Sequence, residues 1–287
     1  MRSIKKIIQS QKVDMGGILL DQPLPNQYMD QLDPFLLIHH WDDVLQGNQK
    51  QNDAGVGPHP HRGFSPITLI FKGGVHHRDS RGNNSIVMEG GTQWMFAGMG
   101  ITHSERPYKE LAESGGEFEL IQFLLNVPAK NKMDQPVYTA IPKENTPSFI
   151  SEDKRVKVGI VSGKFKNIQG AIEHFSPVTV LRFDFDKDGD IDFEISSTQN
   201  TLIYLLDGEL IINESEKVDG RHLVWFNNEH SKIKLKAIKP TRTILLAGEP
   251  INEEVVSYGP FVMNSTTQIM EAFRDAQMGK MGVLIEE

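Results

Sequence analysis

Apolar and polar residues alternate in short bursts along most of this chain. The segments 65–71, 117–127, 156–161, 179–185, 201–206 and 243–247 are rich in Ile, Val, Leu, Phe and Thr. Gly, Pro, Asn and Asp punctuate them, as at Gly73-Gly74 and Asp207-Gly208. Successive side chains of a strand face opposite ways, so these runs predict short strands with covered faces. Closely spaced strands with turn signals imply an all-β fold of barrels or sandwiches. Strand patterning lapses at 128–147, where proline and charge replace it. One helix is predicted near the C-terminus. Ser265-Thr266-Thr267-Gln268 fits a capping box, Ile269, Ala272, Phe273 and Ala276 keep helical spacing, and Gly279 would end it. Its apolar stripe is expected to pack on a barrel, without a chemical role.

A length of 287 residues favours two domains, and a faint internal repeat supports that division. Aligning 67–74 with 201–208 sets Gly74 against Gly208 and places Phe193 and Ile195 opposite His59 and His61. Matching Trp94 to Val224 sets Ile233 and Leu235 against His103 and Glu105. The second half thus reads as a copy of the first whose polar donors became hydrocarbon. The expected division is one barrel over 1–130, a linker over 131–150, and a second barrel with the terminal helix over 151–287.

Composition narrows the chemistry. There is no cysteine, which excludes disulfides, thiolate catalysis and Cys-type zinc or iron–sulfur sites. A net charge of −8 would repel phosphate backbones and argues against direct nucleic-acid binding. The opening MRSIKKIIQSQK has too short an apolar run for a signal peptide, and no stretch reaches the length of a membrane span. A cytoplasmic location is the expectation.

Two short runs carry the chemistry: His59-Pro60-His61 and His103-Ser104-Glu105. Residues i and i+2 of a strand share a face, so each run can present two donors to one spot. On neighbouring strands the four groups would converge on a divalent ion. Three imidazoles with one carboxylate suit Fe(II), and also Mn, Co, Ni, Cu or Zn, while Mg and Ca prefer all-oxygen sets. Open coordination positions would admit a small molecule, water or O₂, and Glu105 could double as a proton acceptor. Single His-x-His motifs are ordinary surface features, but two donor pairs in glycine-rich β-type sequence favour a metal centre.

These runs sit within longer motifs. Gly57-Pro-His-Pro-His-Arg-Gly-Phe64, Gln93-Trp-Met95, Ala97-Gly-Met-Gly-Ile-Thr-His-Ser-Glu-Arg-Pro107 and Gly259-Pro-Phe-Val-Met-Asn264 resemble those of the pirin family. Pirins are two-barrel members of the cupin superfamily, and the resemblance runs from Asp33-Pro34-Phe35 to the terminal helix. It implies two cupin barrels. It also implies His59, His61, His103 and Glu105 as ligands of a non-haem iron in the first barrel, with a metal-free second barrel. The general cupin pattern places a glutamate three or four residues after His-x-His. Here Ser65 and Pro66 stand there, and the carboxylate comes from Glu105, as in pirins. For activity the resemblance implies a metal-dependent dioxygenase of the quercetinase kind, taking a flavonol-like aromatic substrate and O₂ and releasing carbon monoxide. The alternative it implies is a non-enzymatic iron-binding regulator acting through protein partners such as transcription factors or metabolic enzymes.

Other residues are weighed against simpler roles. Of His76 and His77 one is expected to face the barrel and the other solvent. His77, Gln93 and Trp94 are candidates for supporting the ligands or touching a substrate. His39 and His40 are expected to serve the core or to hydrogen-bond. Arg62 and Arg106 flank the donor pairs but should face away, as structural groups. Asp184, Asp186 and Asp188-Gly189 mimic the start of an EF-hand loop, but its twelfth position is Ile195, so Asp188-Gly189 is read as a turn between strands.

Overall fold

The computed structural model describes residues 1–286. Its regular structure is mostly antiparallel strand, with α-helices at Lys109–Ser114 and Thr266–Gln277. Two compact units emerge, and neither is a single run of sequence.

One unit contains Ile38–Lys143 together with the chain from Ile251 onward. Its four-stranded sheet runs Val56–His61, Ile101–Pro107, Gly74–Asp79, Asn84–Met88, all antiparallel. A second sheet includes Val137–Ile141, Thr92–Phe96, Phe64–Lys72, Gly116–Asn126 and Phe35–Leu45 in that order. Every residue from Phe64 to Phe71 is buried, Ser65 and Thr68 included, as expected of a strand covered on both faces.

The other unit combines Met1–Leu37 with Glu144–Pro250. Two long strands, Asn200–Ile212 and Lys232–Gly248, pair along most of their length and carry the rest of its sheet. Its core includes Phe165, Phe183, Phe193, Ile195, Ile233 and Leu235. The internal repeat is visible here as register. His103 pairs with His59 in the first unit, and Ile233 pairs with Phe193 in the second. Where the first unit gathers imidazoles, the second gathers hydrocarbon.

Most predicted strands fall within a residue or two of the observed ones, but three expectations need correction. Asp207-Gly208 does not end a strand. Asn200–Ile212 continues through it with register shifts, because Gly208 adopts a φ of +84° that absorbs a bulge. A Cβ there would lie 2.1 Å from Thr241 Oγ1. The segment 131–150 is not simply a linker: Val137–Ile141 pairs with Thr92–Phe96, and Ser148–Ile150 pairs with Val156–Ser162. Short strands among prolines and charges leave too little periodicity to read.

The third correction concerns the terminal helix, which was expected with the second barrel. It belongs to the unit that holds the histidine runs. Its cap forms as predicted, with Ser265 Oγ accepting from the Gln268 backbone N–H at 3.3 Å, and Ile269 and Ala272 are buried. The physical reason for its placement is a set of backbone bonds ahead of the helix. The Val262 N–H donates to Arg62 O at 3.1 Å, and Gly63 lies so close that a Cβ would meet Val262 O at 2.0 Å. Buried Lys132 completes the seam. Its ammonium donates to Gly63 O at 2.6 Å, Asn126 Oδ1 at 2.7 Å and Val262 O at 3.0 Å. Burial pushes this amine down to about 8.

Lys132→Met should therefore leave three buried acceptors without donors and lower stability by about 3 kcal/mol. Urea unfolding checks this. A loss within about 0.5 kcal/mol, the range of an ordinary surface change, would contradict it.

Candidate functional site

Adjacent strands bring the two histidine runs together. Val56–His61 and Ile101–Pro107 pair antiparallel, with His59 opposite His103 and Ile101 opposite His61. The register shifts between His103 and Glu105, so Glu105 pairs with Val56. The ligating atoms of His59, His61 and His103 lie within 4.8 Å of one another. His59 Nε2 is 3.0 Å from His61 Nε2 and 3.0 Å from His103 Nε2.

What each outer nitrogen touches decides what those inner nitrogens are. His59 Nδ1 is 2.7 Å from Gly57 O, and His61 Nδ1 is 3.2 Å from Pro260 O. A carbonyl only accepts, so each Nδ1 carries the proton and each Nε2 presents a bare lone pair. Protonating His61 or His103 is no remedy. Burial, then the His59 charge, pushes the His61 imidazole down to about 3 despite the Pro260 carbonyl. Burial, then His59, His61 and His77, holds His103 well below the ordinary value. Facing lone pairs at this range repel unless a cation sits between them. Two nitrogens about 2.1 Å from one ion and about 90° apart around it lie about 3.0 Å from each other. The donor set therefore fits a divalent transition ion.

Glu105 stands outside this three-histidine group. Its Oε1 accepts from Gln93 Nε2 and, at 3.2 Å, from Thr68 Oγ1; its Oε2 accepts from Gln122 Nε2 at 2.7 Å. The carboxylate is thus oriented by side chains from the facing sheet, on Thr92–Phe96, Phe64–Lys72 and Gly116–Asn126.

Of the candidates for support, His77 and Gln93 join the site and Trp94 does not. His77 is fully buried. Its Nδ1 is 3.5 Å from His103 Nδ1, and its ring stacks on Tyr138 at 3.9 Å between centroids. Gln93 faces Glu105, so strand alternation turns neighbouring Trp94 to the opposite face. His76 points away, to Gln51 at 3.0 Å and Asn84 at 2.6 Å. Arg62 and Arg106 serve the structural ends expected of them. Arg62 donates to Met99 O at 2.6 Å and to Asp275 of the terminal helix at 3.1 Å, and Arg106 donates to Glu286 at 2.6 Å.

Sequence reasoning missed Thr68, Gln122, Asp79 and the Pro260 carbonyl. Gln122 is a polar residue inside an apolar run, a signal that could have been used. Pro260 left none, because its contribution is backbone.

A second group, His40, Asp42 and Glu119, has ligand-like spacing. His40 Nε2 is 3.1 Å from Glu119 Oε1. The ammonium of Lys72 already stands among these acids, 3.6 Å from Glu119 and 3.8 Å from Asp42. That ammonium already serves as the cation of the cluster, and His40 fills the hydrogen-bonding role expected of it.

Comparison with known proteins bears on this arrangement. The Pirin family model matches residues 18–125, and the model for the pirin C-terminal cupin domain matches 180–282. This chain belongs to the pirin family. A pirin-like protein of Solanum lycopersicum is 32% identical, covering 97% of the chain and 92% of that relative. The crystal structure of quercetin 2,3-dioxygenase from Acinetobacter baumannii matches with a TM-score of 0.93 and 31% identity, covering 99% of this chain and 100% of that one. The bacterial pirin YhhW of Escherichia coli, solved in complex with nickel(II), shares the fold at a TM-score of 0.67 and 20% identity, covering 85% of this chain and 99% of that one. Pirin membership accounts for two cupin barrels and a candidate metal site in the first. Among the described residues, no helix is long and apolar enough to cross a membrane.

His61→Ala should abolish stoichiometric metal uptake, whereas His77→Ala should retain the ion with weaker affinity. Metal analysis of both variants after equal loading checks this. Equal loss in both would contradict the assignment of ligands.

Proposed function

We propose that this chain is a metal-dependent dioxygenase of the quercetinase type, acting on a flavonol-like aromatic substrate with O₂. The observation that carries the reading is the three imidazoles gathered at one spot, with His59 Nε2 3.0 Å from the Nε2 atoms of both His61 and His103. His59, His61 and His103 would hold one divalent transition ion, with Glu105 as the fourth ligand when the substrate position is empty. Fe(II) suits this nitrogen and oxygen set, and Mn, Co, Ni, Cu and Zn remain compatible with it. When bound, the ion supplies a Lewis-acidic centre with open positions for small molecules.

The chain's own residues would do the rest. Glu105 accepts the proton of the flavonol hydroxyl. Its Oε1 is occupied by Gln93 and Thr68, while Oε2 accepts from Gln122 alone and keeps a lone pair for the proton. Fixed donors hold that oxygen in place before substrate arrives, which lowers the cost of orienting the base. Loss of the proton makes the flavonol ring electron-rich and open to O₂, and ring opening expels carbon monoxide. The match to a quercetin 2,3-dioxygenase over nearly the whole of both chains supports this choice of substrate class.

Protein purified anaerobically and loaded with Fe(II) should consume O₂ and release carbon monoxide in equal amounts with at least one flavonol. Glu105→Gln should lower that turnover by about 100-fold or more. Metal-loaded protein that releases no carbon monoxide across a flavonol panel would overturn the reading.

A further inference from the structure

Beyond His103 runs a second line of polar residues, His77 and then Asp79. His77 Nε2 is 3.0 Å from Asp79 Oδ2, and both residues are buried. Asp79 is saturated with donors. Its Oδ1 accepts the backbone N–H of Arg81 at 2.9 Å and of Asn83 at 3.1 Å, and its Oδ2 also accepts Asn83 Nδ2 at 2.8 Å. Burial alone would raise this carboxyl, but the bonds from His77 and Asn83 outweigh it and hold the group below the usual range.

A carboxylate at His77 Nε2 fixes the proton on that nitrogen and leaves His77 Nδ1 as an acceptor. His103 Nδ1 lies 3.5 Å from it and is placed to donate. With its proton on Nδ1, His103 must present Nε2 as a lone pair to His59. Strand register enforces the line, since His103 pairs directly with Asp79. The Tyr138 ring, stacked on His77 within 7° of parallel, keeps the imidazole in plane.

We propose that Asp79 and His77 are positioning residues that set the tautomer of His103 and so keep its Nε2 free to bind metal. This rests on the metal centre proposed above and adds a relay that the ligand set alone does not require. Asp79→Asn makes the relay testable. Two backbone N–H groups aim at Oδ1, so the amide oxygen must stay there and the NH₂ must take the place of Oδ2. One N–H would then face His77 Nε2, which becomes the acceptor, and Asn83 must turn its amide to offer Oδ1 in place of the NH₂ that now donates there. The proton moves to His77 Nδ1, His103 Nδ1 accepts it, and His103 Nε2 carries a hydrogen into the space between the imidazoles.

Two measurements test this, with Zn(II) as the probe ion. In metal-free wild-type protein, ¹⁵N NMR should show hydrogen on His77 Nε2 and His103 Nδ1, and Asp79→Asn should reverse both. Zn(II) titration should show Asp79→Asn weakening binding about 10- to 100-fold. In a His77→Phe background, which keeps an aromatic ring on Tyr138, adding Asp79→Asn should change Zn(II) affinity by less than about 2-fold, since the transmitting ring is gone. An equal loss in both backgrounds would mean that Asp79 acts by holding its turn, and would overturn the proposal. So would wild-type tautomers opposite to those stated. Wild-type protein that takes up no Zn(II) would instead sink the metal reading, while the tautomers of the metal-free protein would still decide the relay.

Discussion

Facing lone pairs are the constraint around which this site is organised. Gly57 and Pro260 place carbonyls on the outer nitrogens of His59 and His61, so the inner nitrogens confront each other bare. Burial penalises the imidazolium forms of His61 and His103, which would otherwise relieve the repulsion. A site built this way is unfavourable when empty and favourable with one cation, and its selectivity begins there. Nitrogen donors of this kind suit transition ions better than the hard oxygen-seeking ones.

Holding that arrangement requires more chain than the ligand strands. The segment after the second barrel returns to the first unit, lays Val262 beside Arg62 and brings the Pro260 carbonyl to His61. The terminal helix anchors Arg62 through Asp275, and Lys132 ties Gly63 to Val262 from the interior. These contacts surround the turn that follows His61. The helix, which looked like a passive cover, thus helps fix the residue next to a proposed ligand. Glu105 depends on a different support, amide and hydroxyl donors from the facing sheet. Glu105 thus shares a strand with His103 but takes its orientation from the facing sheet.

Much of this was readable from residues alone because the signals are local. His-x-His and His-x-Glu place donors by strand alternation, and the apolar runs mark strands such as Phe64–Lys72 and Gly116–Asn126. The repeat was legible as matching register, and Phe193 does meet Ile233 as His59 meets His103. What stayed hidden depends on long-range pairing. Nothing local in Gly259-Pro260-Phe261 says that its carbonyl will meet His61. Asp79 reads as a turn residue until His77 is seen beside it. The continuation of Asn200–Ile212 through Asp207-Gly208 was masked because a bulge glycine and a turn glycine look alike in sequence.

X-ray absorption at the iron edge of anaerobically loaded protein tests the central claim most directly. The account predicts one Fe(II) per chain with imidazole scattering from three histidines at about 2.1 Å, a distance typical of metal–imidazole bonds. A spectrum of oxygen neighbours without imidazole scattering, or iron that washes away as a loosely held ion, would contradict it.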